Sequence, residues 1–104
     1  MYDPIVAEAL RRREILDNLQ TYLRRLKETA LKVDPEAKIY LFGSVAEGKH
    51  TYSSDVDVLI ITERDRLEMF RALLAEEFIK FFEIHVRNPK EAWWYRRMTK
   101  LVEV

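Results

Sequence analysis

Apolar residues recur every three or four positions through the first third of the chain. Leu16, Leu19, Leu23, Leu26, Ala30 and Val33 fall on one helical face, while Arg11, Arg12, Arg13, Arg24, Arg25 and Lys27 fall mostly elsewhere. Asp3-Pro4 opens this segment with an N-cap acceptor and a proline at the first helical position. Asp34-Pro35 closes it, because proline disfavours helical backbone in the residue before it. The pattern predicts one long helix over about 4–33. The period then changes. Residues 39–42 form a β-branched and aromatic run that stops at Gly43, and residues 56–62 resume a strand pattern after a loop rich in Gly, Ser, Thr and Lys. Helical spacing returns over 65–80 through Leu67, Phe70, Leu74 and Phe78, and residues 81–86 read as a third strand. Asn88-Pro89 with Glu91 starts a final helix running toward Val104. Helix, strand, loop, strand, helix, strand, helix is the order of a small two-layer α/β domain with helices on a three-stranded sheet.

Composition narrows the chemistry. The 104 residues fit one domain, residues 1–104, and 48% hydrophobic content supports a folded core. There is no Cys, which excludes disulfides and thiolate metal sites, and two His argue against a histidine-rich centre, so any metal is expected to sit on oxygen. The longest aliphatic run, Val58-Leu59-Ile60-Ile61, is far short of the roughly 20 residues of a membrane span, and no signal-like stretch opens the chain. A soluble, cytoplasmic protein without membrane contact is expected. Eighteen Lys plus Arg balance 18 Asp plus Glu, so no global field favours nucleic acid, and no direct nucleic-acid partner is expected.

Both glycines, Gly43 and Gly48, stand in one six-residue window after the first strand. Glycine lets backbone turn sharply or approach a ligand, and a helix start there would aim free amides at an anion. The window reads as a phosphate cradle or as an ordinary strand-to-helix turn. Asp55 and Asp57 open the second strand, where alternation points both carboxylates to one face, roughly 6.5 Å apart. Such a pair suits Mg²⁺ or Mn²⁺; the plainer alternative is a solvated strand end. Leu59 and Ile61 share their face, and Val56, Val58 and Ile60 take the other, so the acids stand at the rim of a core. On the third strand Glu83 and His85 project together with Phe81. If that strand lies beside the second, Glu83 comes over the aspartates, where it could bind a second ion and accept the proton of an attacking hydroxyl. Otherwise it is a surface acid paired with a nearby Lys or Arg.

Gly43-Ser44, ten intervening residues, Asp55-Val56-Asp57 and the run Val58-Leu59-Ile60-Ile61 together resemble the signature of the DNA polymerase β-like nucleotidyltransferase superfamily. Gly43-Ser44-Val45-Ala46-Glu47-Gly48-Lys49 with Ser54-Asp55, and the later Phe82-Glu83-Ile84-His85-Val86, are similar to the minimal nucleotidyltransferases, the MNT proteins. The likeness spans about residues 38–98. It implies that family's mixed sheet with flanking helices, with Gly43 and Ser44 holding the β and γ phosphates of a nucleoside triphosphate. It also implies that Asp55 and Asp57 bind divalent metal, two Mg²⁺ ions with Mn²⁺ as a substitute, and that Glu83 stands in the third carboxylate position. Many superfamily members carry Asp where this chain has Glu83. The resemblance further implies ATP as donor and a HEPN-domain toxin as partner, the MNT protein acting as antitoxin by transferring AMP to it. With 104 residues, no additional domain is expected to grip a small acceptor.

Three further features carry readings. Arg11, Arg12 and Arg13 span three directions of a helix and read as a solvated surface. Lys49 and His50 border the loop and read either as a flexible surface pair or as groups that touch a phosphate, Lys49 being the candidate for that contact. Trp93, Trp94, Tyr95, Arg96 and Arg97 mix aromatics and arginines as interfaces do; core packing is expected to account for at least one Trp, and a partner for the other. Two competing functions stand beside protein nucleotidylylation: transfer to a small molecule, and a non-catalytic module that neutralises its partner by binding.

Overall fold

In the computed structural model, which describes residues 3–104, Asp3 caps the first helix, α1 (Pro4–Asp17), by accepting the Ile5 N–H at 2.8 Å. The single helix expected over 4–33 is two helices: α1 ends at Asn18, whose φ of −124° and ψ of 34° leave the helical region, and α2 (Leu19–Val33) follows. The Asn18 side chain donates to the Glu14 carbonyl at 2.9 Å, giving the backbone a local alternative to the helix ladder. Apolar spacing continues across the break and conceals it. On α2 the buried face is Tyr22, Leu23, Leu26 and Ala30.

The rest of the chain builds β1 (Lys38–Phe42), a short α3 (Gly43–Ala46), β2 (Val56–Ile61), α4 (Arg66–Leu73), β3 (Phe82–Arg87), α5 (Pro89–Met98) and β4 (Val102–Glu103). The mixed sheet has the order β3-β2-β1-β4. β2 runs antiparallel to β1 and parallel to β3, and α4 lies in the crossover that a parallel pair requires. Two expected boundaries differ. The helix over 65–80 stops at Leu73 and gives way to a 3-10 turn, Glu77–Phe81, which takes Phe81 out of the third strand. The last helix stops at Met98, and the chain then returns beside β1 with Val102 opposite Leu41, making the sheet four-stranded rather than three-stranded. A two-residue bridge is too short to show a period in sequence.

Val56, Val58 and Ile60 face the main core, with Leu23 and Leu26 of α2, Met69 and Leu73 of α4, and Phe78. Phe78 meets the Tyr22 ring edge-on at 5.1 Å and Phe82 at 5.7 Å. Leu59 and Ile61 face the opposite side, where Ala92 and Tyr95 of α5 pack with Tyr40, Phe42 and Leu101. α5 is started by a reciprocal capping box: Asn88 accepts the Glu91 N–H at 2.8 Å and Glu91 accepts the Asn88 N–H at 2.9 Å. Neither tryptophan serves the core, contrary to expectation: Trp93 and Trp94 are 55% and 60% exposed. Residues on a helix step by about 100°, and turning Ala92 and Tyr95 inward leaves both indoles outside. Among the described residues no helix is long and apolar enough to cross a membrane.

Candidate active site

Strand register assembles the acidic groups. Asp57 lies opposite Phe42 on one side and beside Glu83 on the other, while Leu59 lies beside His85. Because β2 and β3 are parallel and in register, Asp57, Glu83 and His85 project from the same face at its edge. One ligand atom from each lies within 4.8 Å of the others.

The turn after β1 brings backbone against this group. Gly43 has φ +77°, and a Cβ there would stand 2.3 Å from Asp57 Oδ2. Position 43 therefore requires glycine twice, for its left-handed backbone and for the space the carboxylate occupies. Gly43 is the first residue of α3, and the Lys49 N–H closes the loop by donating to the Ser44 carbonyl at 2.9 Å. The Lys49 side chain is exposed.

Asp55 precedes β2 and stands outside the tight cluster. Its Oδ1 accepts from Arg12 at 2.7 Å, and the same guanidinium donates to the Ser54 carbonyl and lies 5.0 Å from the centre of the Phe81 ring. The arginine triplet, expected to be solvated, thus ties α1 to the rest of the molecule. Arg11 pairs with Glu14 and Glu77, and Arg13 lies over Tyr52.

The charges are unbalanced at the cluster. Burial, contact with the Glu83 carboxylate and the nearby Asp55 charge, in that order, push Asp57 up to about 6. Burial holds His85 below its ordinary value, partly opposed by Glu83, so the imidazole is neutral at pH 7. Its Nδ1 shares a hydrogen bond of 3.0 Å with the Tyr95 hydroxyl. Its Nε2 lies 3.8 Å from Asp57 Oδ1 and 3.7 Å from Glu83 Oε1, is buried, and has no hydrogen-bond partner among the described residues. Phe42 and Tyr95 flank the ring, with centroids 5.0 and 5.6 Å away.

A divalent cation fits this arrangement. It would offset the repulsion that raises Asp57 and satisfy a buried nitrogen that nothing else satisfies. Beside the two carboxylates expected from composition and strand position, the groups within reach of one another include an imidazole. Strand alternation had put His85 on the face of Glu83, but the sequence assigned Arg12 to a solvated surface and Tyr95 to an interface cluster, and did not place either at this site, which they reach from distant helices. A cavity of about 520 Å³ lined in part by Asp34, Lys38, Thr62, Arg64 and Arg96 lies at the far end of β2 and contains none of these groups.

Residues 19–102 match the family model of the nucleotidyltransferase domain. A crystal structure provisionally named a nucleotidyltransferase is 33% identical, with a TM-score of 0.67 over 80% of this chain and 97% of that one. A second structure, from Sulfolobus solfataricus and given the same provisional name, shares the fold at 19% identity and a TM-score of 0.57, over 88% of this chain and 84% of that one. Among proteins of curated function no match to this sequence is found.

Proposed function

The chain belongs to the nucleotidyltransferase domain family, and from that premise we propose that it transfers AMP from ATP to a HEPN-domain protein in the cytoplasm, disarming that partner as an antitoxin does. One observation carries the nucleotidyl-transfer reading: Asp57 and Glu83 are paired in register on adjacent strands while the Gly43 backbone abuts the Asp57 carboxylate. This juxtaposition supports reading the acids as cation holders and the neighbouring amides as phosphate holders.

In this reading Gly43 and Ser44 present backbone amides to the β and γ phosphates, because the first amides of a helix lack partners within it. Lys49, at the end of the same loop, adds a positive charge at its mouth. Asp57 and Glu83 would hold Mg²⁺ or Mn²⁺, with Asp55 joining once it parts from Arg12. Such ions supply charge neutralisation of the triphosphate and alignment of the attack. The acceptor oxygen bonds to the α phosphorus as the bond to the bridging oxygen breaks and pyrophosphate leaves. Glu83, whose side chain is 61% exposed, is placed to take the acceptor's proton. A protein acceptor suits an acidic site open on the surface, and the outward Trp93 and Trp94 of α5 add exposed apolar area for a partner.

The test is incubation of the protein with Mg²⁺, labelled ATP and the protein encoded beside it, which this reading expects to carry a HEPN domain. The reading expects label and a mass gain of one AMP on the neighbour, lost in Asp57→Asn. Inhibition of the neighbour without modification, unchanged in that variant, would refute catalysis and leave a binding module.

A further inference from the structure

We propose that His85 is a nitrogen ligand of the ion site, that the Tyr95 hydroxyl is the positioning residue that directs its lone pair, and that the site in consequence prefers Mn²⁺ to Mg²⁺. This rests on the nucleotidyltransferase reading above, since it assigns a ligand to the same site.

The imidazole is held as a ligand is held. Its Nδ1 is engaged by Tyr95 at 3.0 Å, and its Nε2 points between two carboxylates without a hydrogen bond to either. At 3.7 and 3.8 Å those oxygens are beyond hydrogen-bond range. They are within the roughly 3–4 Å that separates ligands each about 2.1 Å from one ion. A neutral imidazole carries one N–H and one lone pair, so the partner of Nδ1 decides what Nε2 offers. A hydroxyl can donate or accept. When Tyr95 accepts from Nδ1–H, Nε2 turns a lone pair toward the acids; when Tyr95 donates, Nε2 carries a proton there instead. Phe42 on β1 and Tyr95 on α5 pack edge-on against the ring and fix its plane. Three separate elements thus position one nitrogen.

The metal preference follows from ligand chemistry. Mg²⁺ gives up water reluctantly and keeps to oxygen ligands, whereas first-row transition ions accept imidazole, and Mn²⁺ is the one among them that also suits carboxylates. A site of two carboxylates and one imidazole is therefore biased away from the ion that an all-carboxylate site would take.

The experiment uses the whole chain. Pulsed EPR of bound Mn²⁺ reads directly coordinated ¹⁴N, and calorimetric titrations give Mn²⁺ and Mg²⁺ affinities separately. A nitrogen coupling is expected in the unaltered protein and is absent from His85→Gln. That variant weakens Mn²⁺ by at least the roughly tenfold that loss of a ligating histidine's support costs, and Mg²⁺ by less, so the preference collapses. Tyr95→Phe weakens Mn²⁺ about tenfold, as loss of a partner behind a ligating histidine does, with a smaller effect on Mg²⁺. An effect through folding alone would move both ions equally. Mn²⁺ binding that Asp57→Asn abolishes but that shows no nitrogen coupling would overturn this inference and leave the acidic ion site standing. Mn²⁺ binding that Asp57→Asn does not change would overturn both.

Discussion

At Asp57 a single carboxyl records the tension that the site is built around. Its value near 6 lies above that of an ordinary aspartate, so between about pH 4 and 6 the folded chain keeps a proton that the unfolded chain has released. Stability of the ion-free protein is therefore expected to fall as pH rises through that window, through this group, and to level off above it. Thermal melts in chelator should show Asp57→Asn gaining stability over the unaltered protein at pH 7.5, with the difference vanishing near pH 4. Saturating Mn²⁺ should reverse the order, because only the aspartate is rewarded by the ion. Gly43 permits an equally sharp expectation. Gly43→Ala forces a side chain into left-handed backbone, costing about 1–2 kcal/mol, and sets its methyl against Asp57 Oδ2. Displacement of that carboxylate should lower nucleotidyl transfer by about 100-fold, well beyond what the stability change explains. A kcat measurement beside a urea titration separates the two effects.

Among the elements, the strands and their acids were the most legible in sequence. The β-branched and aliphatic stretch around Asp57 reads as a strand, and alternation puts Glu83 and His85 on one face. What escaped were features whose cause is local competition or distant contact. The break at Asn18 depends on one side chain reaching Glu14, in a segment whose apolar spacing never falters. β4 exists because β1 offers it an edge, and nothing within residues 99–104 announces that. The pairing of His85 with Tyr95 requires α5 to lie across β3, which strand alternation cannot reveal. The 3-10 turn likewise owes its form to packing: Phe78 is 1% exposed and wedged between Tyr22 and Phe82. Phe78→Ala should remove about 3–5 kcal/mol, a large share of the roughly 5–15 kcal/mol available to a domain of this size. Chemical denaturation would show it as a lower midpoint at unchanged slope.

Over the whole molecule, a net charge of zero leaves recognition to local surfaces. The arginines of α1 give that neutrality a structure. Arg12 crosses from the first helix to the mouth of the site, where its guanidinium pairs with Asp55. Arg12→Ala should cost the fold little, since partly exposed ion pairs contribute about 0–1 kcal/mol. Freed from a competitor of that strength, the site should bind divalent ions roughly fivefold more tightly. Titration calorimetry of the two proteins side by side decides it, and an unchanged or weaker affinity would make Arg12 a support for Asp55 rather than a rival.

The parallel, in-register pairing of β2 with β3 has a consequence for how the protein can fail. A slip of one residue between these strands would carry Glu83 and His85 to the opposite face of the sheet, leaving Asp57 without either. Mispaired chains would therefore be silent rather than sluggish, and specific activity would count correctly assembled molecules in a preparation.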